Sequence, residues 1–571
     1  MNLLPVPRHV DLLDRTVAAG EPRVHVGAGG LPAEGYAITI GDDGDVSIDA
    51  ADAAGAFYAH QTLAQLAHLH DGELPVGRIR DWPDLPVRAV MLDVARDKVP
   101  TMDTLLTLVD RLASWKVNQI QLYSEHTFAY RDHEVVWRDA SPITAEEIRA
   151  IDARCRARHI ELVPNQNCLG HMGRWLQHDA YRPLAMAPTP DQPDRAPTTI
   201  EPTNPAALAL VRDLLAELLP NFSSPRYVNV GLDEPWELPP ERIDDYLEWV
   251  RVLRALPELG DREMLIWGDI LGGEPERIAT LPDGVTVCEW GYDAGFPFDA
   301  RAATYEAAGR PCWTAPGTSS WLTILGRVTN MRADITEAVD ATLAHGGDGI
   351  LNTDWGDQGH LQYLPISDPG LAYGAAVAWC ASTNRDLDLG AALSTHCYDD
   401  PTGVLGQALI ALGDLYLGIT PQMGNVSALV LPLYWPQLIA GRWPLKGADA
   451  DEYGAVGAEL AACRATLARA QPRRVDGALV LDELQNAIAL VSLLARDGSA
   501  RVEGDGSLAS IPEPTRRRFA AELQPVIAEH ERLWLARNRP GGLTDSLAWL
   551  RHLEDCYESG TADFTWNGVH T

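Results

Sequence analysis

From Val87 to about residue 360 the chain alternates eight times between a short apolar run and a longer mixed stretch, and that repetition leaves few folds open. The runs are RAVMLDVA (88–95), NQIQLYS (118–124), IELVPNQ (160–166), YVNVGLD (227–233), MLIWGDI (264–270), VTVCEWG (285–291), PCWTAPG (311–317) and GILNTDWG (349–356). Short runs rich in β-branched and aromatic residues, bounded by Gly and Pro, read as buried strands. Helix signals lie between most of them. TMDTLLTLVDRLASWK offers Thr101 as an N-cap, and TAEEIRAIDARCRARH places Thr144 and Glu147 as a capping box. Eight parallel strands, each followed by a helix, predict a (β/α)8 TIM barrel. The competitor, a doubly wound open sheet, lacks a GxGxxG after the first strand.

The flanks read differently. In residues 1–85, EGYAITIGDDGDVSIDAAD gives two alternating strands around an Asp/Gly turn. AAGAFYAHQTLAQLAHLH then sets Phe57, Leu63, Leu66 and Leu69 at helical spacing, and the proline-rich RDWPDLP closes the unit. Beyond about residue 385 the strand signals stop. VLGQALIALGDLYLG, AVGAELAACRATLARAQ, LDELQNAIALVSLLARD and TRRRFAAELQPVIAEHERLWLARN read as helices with apolar stripes. The expected organisation is a small α+β domain over 1–85, a barrel over 86–384 and a helical domain over 385–571. A chain of 571 residues is too long for one core, which agrees with that division.

Charge removes whole classes of partner. A formal net charge of -34 argues against nucleic acid, which needs a basic surface, and against anionic membranes. The opening MNLLPVPRHVDLLDR has no basic segment before a long apolar one, so no signal peptide is expected. No stretch reads as long enough to span a bilayer. The eight cysteines are scattered with no CxxC pair, which predicts reduced, buried thiols and a cytoplasmic protein. His60, His68 and His70 form no HExxH, so neither metal nor cofactor is expected. A homodimer is compatible with this composition.

In a barrel of this kind the chemistry sits at the C-terminal ends of the strands. Those ends supply Asp93 and Arg96; Glu125 and His126; Asn165, Asn167 and His171; Asp233 and Glu234; Trp267 and Asp269; Glu289, Trp290 and Tyr292; Trp313 with Trp321; and Asp354, Trp355 and Asp357. Adjacent carboxylates such as Asp233 and Glu234 make joint ionisation costly, which a fold tolerates at its surface or at a site that uses it. Aromatic faces beside carboxylates suit a sugar: rings stack on C–H faces while acids bind hydroxyls. Any one Trp is more commonly core filler; their convergence on one rim favours a carbohydrate site.

These residues carry a family resemblance. EGYAITIGDDGDVSIDAADAAGAFYAHQTLAQL followed by IRDWPDLPVRAVMLDVARDKVP closely resembles the entry into the barrel of glycoside hydrolase family 20, the β-N-acetylhexosaminidases. NCLGHM resembles that family's Gly-His turn after strand three, VGLDE its acid pair after strand four, and DWGD its strand-eight motif; the likeness spans about residues 35–360. The resemblance implies a zincin-like α+β domain before the barrel. It also implies retaining, exo-acting, substrate-assisted cleavage of a terminal β-linked amino sugar, GlcNAc or GalNAc, one of the exceptions to the two-carboxylate scheme. Glu234 would be the general acid/base and Asp233 would orient the acetamido group. Arg96 would hold sugar hydroxyls, His171 would pair with Glu125, Trp355 would wall the acetamido pocket and Asp357 would reach a hydroxyl. Trp267, Trp290, Trp313 and Trp321 complete the expected binding set.

Three motifs depart from the family pattern. NVGLDE carries Asn229 and Leu232 where GGDE is usual, and Ser124-Glu125 stands where strand two usually ends in Asp. CWTAPGTSSW lacks the Tyr and Asp of strand seven, leaving Tyr292 to supply the hydroxyl. Two other readings stay open. One is a retaining β-glycosidase on a non-acetamido sugar, with Asp269, Glu289 or Asp354 as carboxylate nucleophile. The other is a non-catalytic carbohydrate-binding barrel. The insert AYRPLAMAPTPDQPDRAPTTIEP, between strands three and four, reads as a pocket wall or a partner surface.

Overall fold

Tyr36, Ile38 and Ile40 alternate with less buried neighbours, as do Val46, Ile48 and Ala50, so both segments pleat with one face inward. They are β3 (Tyr36–Ile40) and β4 (Val46–Ala50) of a five-stranded sheet completed by β1 (His9–Val17), β2 (Arg23–Val26) and β5 (Leu74–Asp81), in the order β1-β5-β3-β4-β2. Helix Ala53–Leu69 covers it, capped by Asp52, which accepts from the Gly55 amide, and buries Tyr58, Leu63 and Leu66. The computed structural model describes residues 2–223, 226–272, 275–437 and 447–562. Residues 438–446 and 563–571, within the expected helical region, lie outside the described residues.

The eight expected barrel strands all form: β6 (Val87–Asp93), β7 (Gln119–Tyr123), β8 (Glu161–Val163), β9 (Tyr227–Asn229), β10 (Glu263–Trp267), β11 (Val285–Trp290), β12 (Cys312–Ala315) and β13 (Gly349–Asp354). Every pairing in this sheet is parallel. The seam closes at a bridge between Asn165 and Asn229, where the Gln166 amide donates to the Asn229 carbonyl at 3.1 Å. Strands β8 and β9 are shorter than the expected 160–166 and 227–233. Pro164 has no N–H to give a ladder, and Gly231, Leu232 and Glu234 adopt positive φ, which an extended strand cannot continue through.

The first unit docks on the N-terminal face of this barrel. Lys116, just before β7, lies 2.9 Å from Asp81 at the end of β5, and Arg88 at the start of β6 lies 2.7 Å from Glu34. The strand C-termini therefore open on the opposite face, free of the first unit.

Helices Ala450–Leu467, Gly477–Glu503, Glu513–Arg537 and Leu543–Ser559 pack in succession and share one continuous core with the barrel. Contrary to expectation, one segment is long and apolar enough to cross a bilayer: Gly477–Glu503 holds an 18-residue window of mean hydropathy 1.6. Sixty-one per cent of that window is buried, with Val480, Leu484, Leu490 and Leu494 among the core residues, the pattern of a helix enclosed by a bundle. The last helix reaches the open face of the barrel, where Asp545 pairs with Arg174 at 2.8 Å and Trp549 packs beside Gly359.

Candidate active site

Asp93, at the end of β6, organises the rim around it. It accepts the amides of Ala95 and Arg96 at 2.9 and 3.0 Å and that of Gly356 at 3.0 Å, which ties the loop after β6 to the loop after β13. It also lies 3.2 Å from the Arg96 guanidinium. That guanidinium sits over the rings of Tyr123 and Trp355, 4.5 and 5.1 Å from their centroids, with Nε 3.3 Å from Glu125. Glu125 accepts the Tyr123 hydroxyl, and Asn167 donates to that same hydroxyl.

His171 joins this group to the acid pair. Its Nδ1 lies 3.6 Å from Glu125, the partner expected from sequence. Its Nε2 approaches Asp233 at 3.1 Å and Glu234 at 3.4 Å, two contacts the sequence did not assign. Burial opposes charge on this imidazole, but Asp233 and then Glu234 outweigh it and push its pKa up to about 10. His171 is thus a cation at neutral pH, wedged among three carboxyls.

The backbone here is held away from its relaxed regions. His171, Leu232, Glu234 and Asp357 all have φ between 44° and 74°. Such residues cost about 1–3 kcal/mol each and persist where the surroundings enforce them. Gly170 explains part of the enforcement: a Cβ there would meet the Asp233 carbonyl oxygen at 2.2 Å, so only glycine lets the His171 turn run against the acid pair.

Asp233 is 8% exposed and its Oδ1 has no protein partner; the indole N–H of Trp267, 1% exposed, is likewise unpartnered. The Glu234 side chain is about one-third exposed. Asp269 accepts the Glu234 amide at 3.0 Å and the Trp290 indole at 3.4 Å. Burial, reinforced by the charge of Asp233, pushes its pKa up to about 7. Asp357 is pushed up to about 6 by burial, with Arg96 opposing.

An aromatic wall faces these acids. Trp290 stacks on Tyr292 with centroids 5.2 Å apart, Trp355 donates its indole N–H to the Tyr292 hydroxyl at 2.9 Å, and Trp267 lies 5.8 Å from Trp355. Trp321 stands edge-on to Tyr292 and gives its N–H to Asn425; it and Trp267, each 1% exposed, back the wall formed by Trp290, Tyr292 and Trp355.

Three expected residues lie elsewhere. Trp313 is near the start of β12, packed on Tyr227 with its indole bonded to Asp348, and fills the opposite end of the barrel. Glu289 neighbours Trp290 on β11 and so points to the other side of the sheet. There it meets Tyr305 at 3.0 Å and Arg301 at 3.6 Å on the surrounding helix. Asp354 is taken up by the hydroxyls of Thr318 and Ser320 at 2.7 and 2.8 Å. Of the three candidate nucleophiles only Asp269 adjoins the acid pair.

The site opens into a cleft of about 410 Å³. Its lining includes Arg96, Glu125, His171, Glu234 and Asp357 and, around them, Arg174, Arg182, Arg195, Trp236 and Trp549. Of the second group, Arg182 and Arg195 belong to the insert read as a pocket wall or a partner surface, and Arg174, Trp236 and Trp549 are not among the expected site residues. Trp236 follows the acid pair by two positions and was within reach of a strand-end reading. Trp549 comes some three hundred residues after Glu234 and carried no signal.

The domain 2 model of glycosyl hydrolase family 20 matches residues 5–82, and the family's catalytic-domain model matches residues 85–295; together they cover more than half of the chain. Among curated relatives, a beta-hexosaminidase of Akkermansia muciniphila is 26% identical over 264 residues, 42% of this chain and 52% of that protein, so the match spans about half of that relative's length. Hexosaminidase D of Bos taurus is 24% identical over 320 residues, half of this chain and 90% of that protein. Among solved structures, the GH20 β-N-acetylhexosaminidase from Streptomyces coelicolor A3(2) superposes with a TM-score of 0.52 at 22% identity, covering 69% of this chain and 84% of that one. A β-N-acetylhexosaminidase from Bacteroides fragilis gives 0.55 at 18%, covering 66% and 90%. At such identities the structures speak for the fold. The two family models, by contrast, follow one another in order and meet at the junction between β5 and β6, and on that ground the chain belongs to glycoside hydrolase family 20.

Proposed function

We propose that the protein is a retaining exo-β-N-acetylhexosaminidase acting by substrate-assisted catalysis on terminal β-linked GlcNAc or GalNAc. The observation that carries this reading is the arrangement of Asp233 and Glu234: adjacent, bridged by a charged His171, and joined through Asp269 to the packed aromatic group of Trp290, Tyr292 and Trp355.

In this reading the sugar occupies the inner cleft with its 2-acetamido group against the tryptophans. The acetamido oxygen attacks the anomeric carbon as the bond to the leaving oxygen breaks, and Glu234 gives that oxygen its proton. Asp233, whose Oδ1 has no protein partner, accepts the acetamido N–H and balances the positive charge of the oxazolinium ring. Water then opens the ring as Glu234 takes a proton back, which restores both enzyme and configuration. The Tyr292 hydroxyl accepts the Trp355 indole and offers its own proton to the acetamido oxygen, the task of the missing strand-seven Tyr. Arg96 and Asp357 bind the sugar hydroxyls.

One competing role has an observation behind it: Asp269, hydrogen-bonded to the Glu234 amide, as nucleophile on a non-acetamido sugar. Its pKa of about 7 weakens that role, because burial holds down the anionic form a nucleophile needs. A panel of 4-nitrophenyl β-glycosides with and without a 2-acetamido group separates the two. Turnover confined to the acetamido sugars supports the proposal; preference for the plain glucoside or galactoside overturns it.

A further inference from the structure

The insert between β8 and β9 is built into the cleft. Its return limb is fixed by Glu237, which is 4% exposed and accepts the Thr198 amide at 3.0 Å together with the Thr198 and Thr199 hydroxyls. The Met172 amide donates to the Thr198 carbonyl at 2.8 Å, and the Ile200 amide to that of Leu169 at 3.0 Å, so the limb runs beside the His171 turn. Arg195, at the start of this limb, lies over the ring of Trp236, 5.2 Å from its centroid.

Trp236 is 50% exposed, the only tryptophan among the described residues that presents so much surface. Its amide donates to the Glu234 carbonyl at 2.7 Å, and both residues line the same cleft, which puts an exposed indole next to the proposed proton donor. An exposed indole there is a platform for the sugar that leaves.

The charge at this platform runs against the rest of the molecule. The chain carries 80 acidic and 46 basic residues. Of the four arginines lining the cleft, Arg96 and Arg174 are matched to carboxylates at 3.3 Å or less. Arg182 and Arg195 are in no ion pair among the described residues, although Asp191 and Asp194 share their segment. Arg182 donates to the Gln177 carbonyl and Arg195 to the Gln192 side chain, both neutral partners. A guanidinium fork with no carboxylate, fixed on an aromatic ring, is matched in shape and charge to a planar or tetrahedral oxyanion.

We propose that this part of the cleft recognises an acidic leaving group: the preferred substrate is a terminal β-N-acetylhexosamine linked to a sugar that bears a carboxylate or sulfate, bound by Arg182 and Arg195 with the ring stacked on Trp236. The inference rests on the hexosaminidase reading and adds its substrate class.

The test compares kcat/KM for three disaccharides: N,N′-diacetylchitobiose, the same compound with a lactyl ether at O3 of the reducing sugar, and the same compound 6-O-sulfated on the reducing sugar. 4-Nitrophenyl N-acetyl-β-D-glucosaminide serves as the control. At least one anionic disaccharide should be favoured over the neutral one by about ten- to a hundredfold, the size of a charge-assisted hydrogen bond. Which of the two is favoured identifies the anion. In the Arg182→Gln/Arg195→Gln double variant that ratio should fall towards one. A wild-type ratio near or below one for both anions, with the nitrophenyl glycoside turned over, overturns this inference alone. So does a high ratio unchanged in the double variant. A folded protein inert on every compound, the nitrophenyl glycoside included, overturns the hexosaminidase reading and this inference with it.

Discussion

Two buried charge clusters lie at opposite ends of the same barrel, and they are built to different ends. At the N-terminal face Asp81 is fully subscribed: it lies 2.9 Å from Lys116 and accepts from the Tyr36 hydroxyl, the Trp379 indole and the Arg8 amide. At the C-terminal face Asp233 keeps one oxygen without a partner, beside a neighbour in a strained backbone conformation. Burying a charge is tolerable when every lone pair is met. Leaving one unmet costs free energy, and that cost is offset when a ligand fills the gap. The first cluster joins two units of the fold; in the proposed function the second receives the substrate.

If that contrast holds, substitutions at the two ends should separate activity from stability. The largest effect belongs to Glu234→Gln. Loss of the proton donor should lower kcat on substrates with poor leaving groups by about 10²–10⁴-fold, with only a small change in the thermal midpoint because Asp233 still faces His171, as steady-state kinetics and calorimetry would record. The mirror case is Asp81→Ala. It strands Lys116, which is 1% exposed, and should destabilise the fold by about 3–5 kcal/mol in a denaturant titration while kcat per folded molecule stays put. A large loss of kcat from Asp81→Ala, or a large loss of stability from Glu234→Gln, would erase the distinction.

Arg96→Ala comes next. It removes the charged donor proposed for the sugar hydroxyls and should weaken transition-state binding by about 1.5–3 kcal/mol, read from kcat/KM. The last test is one of pH. The folded pKa of His171 is raised from 6.5 to about 10, so the folded state holds its proton more tightly than the unfolded chain. The stabilisation from this group is complete below about pH 6.5 and fades as pH rises towards 10. His171→Gln should therefore lower the thermal midpoint most below about pH 6.5, where this stabilisation is complete, and flatten its fall as pH rises towards 10.

The parts of this account legible in the sequence are those encoded within a few residues of a strand end. Eight apolar runs gave the barrel, and counting past each run gave Arg96, His171, Asp233, Glu234 and Trp355. Position along a strand without its parity does not place the rest. Glu289 and Trp290 are neighbours, yet a strand turns them to opposite faces, so only one reaches the site. Trp313 is a strand residue near the wrong end. Asp354 is spent on the hydroxyls of Thr318 and Ser320, a pairing set by the loop after β12. What no local pattern encodes is the cleft mouth, where the insert and the last helix are folded back over the rim. Arg195 met Trp236, and Asp545 met Arg174, only through tertiary packing.

The central claim is that the nucleophile is carried by the sugar and that Asp233, not Asp269, serves it. A thiazoline analogue of N-acetylglucosamine copies the cyclised intermediate, whereas a 2-fluoro glycoside traps a protein carboxylate that attacks carbon. Inhibition by the thiazoline, alongside mass spectrometry after exposure to the 2-fluoro compound, sets the two against each other. The account predicts thiazoline binding at least about a hundredfold tighter than N-acetylglucosamine, as intermediate-like ligands bind, and an unmodified protein mass. A stable adduct on Asp269 with no thiazoline inhibition would contradict it.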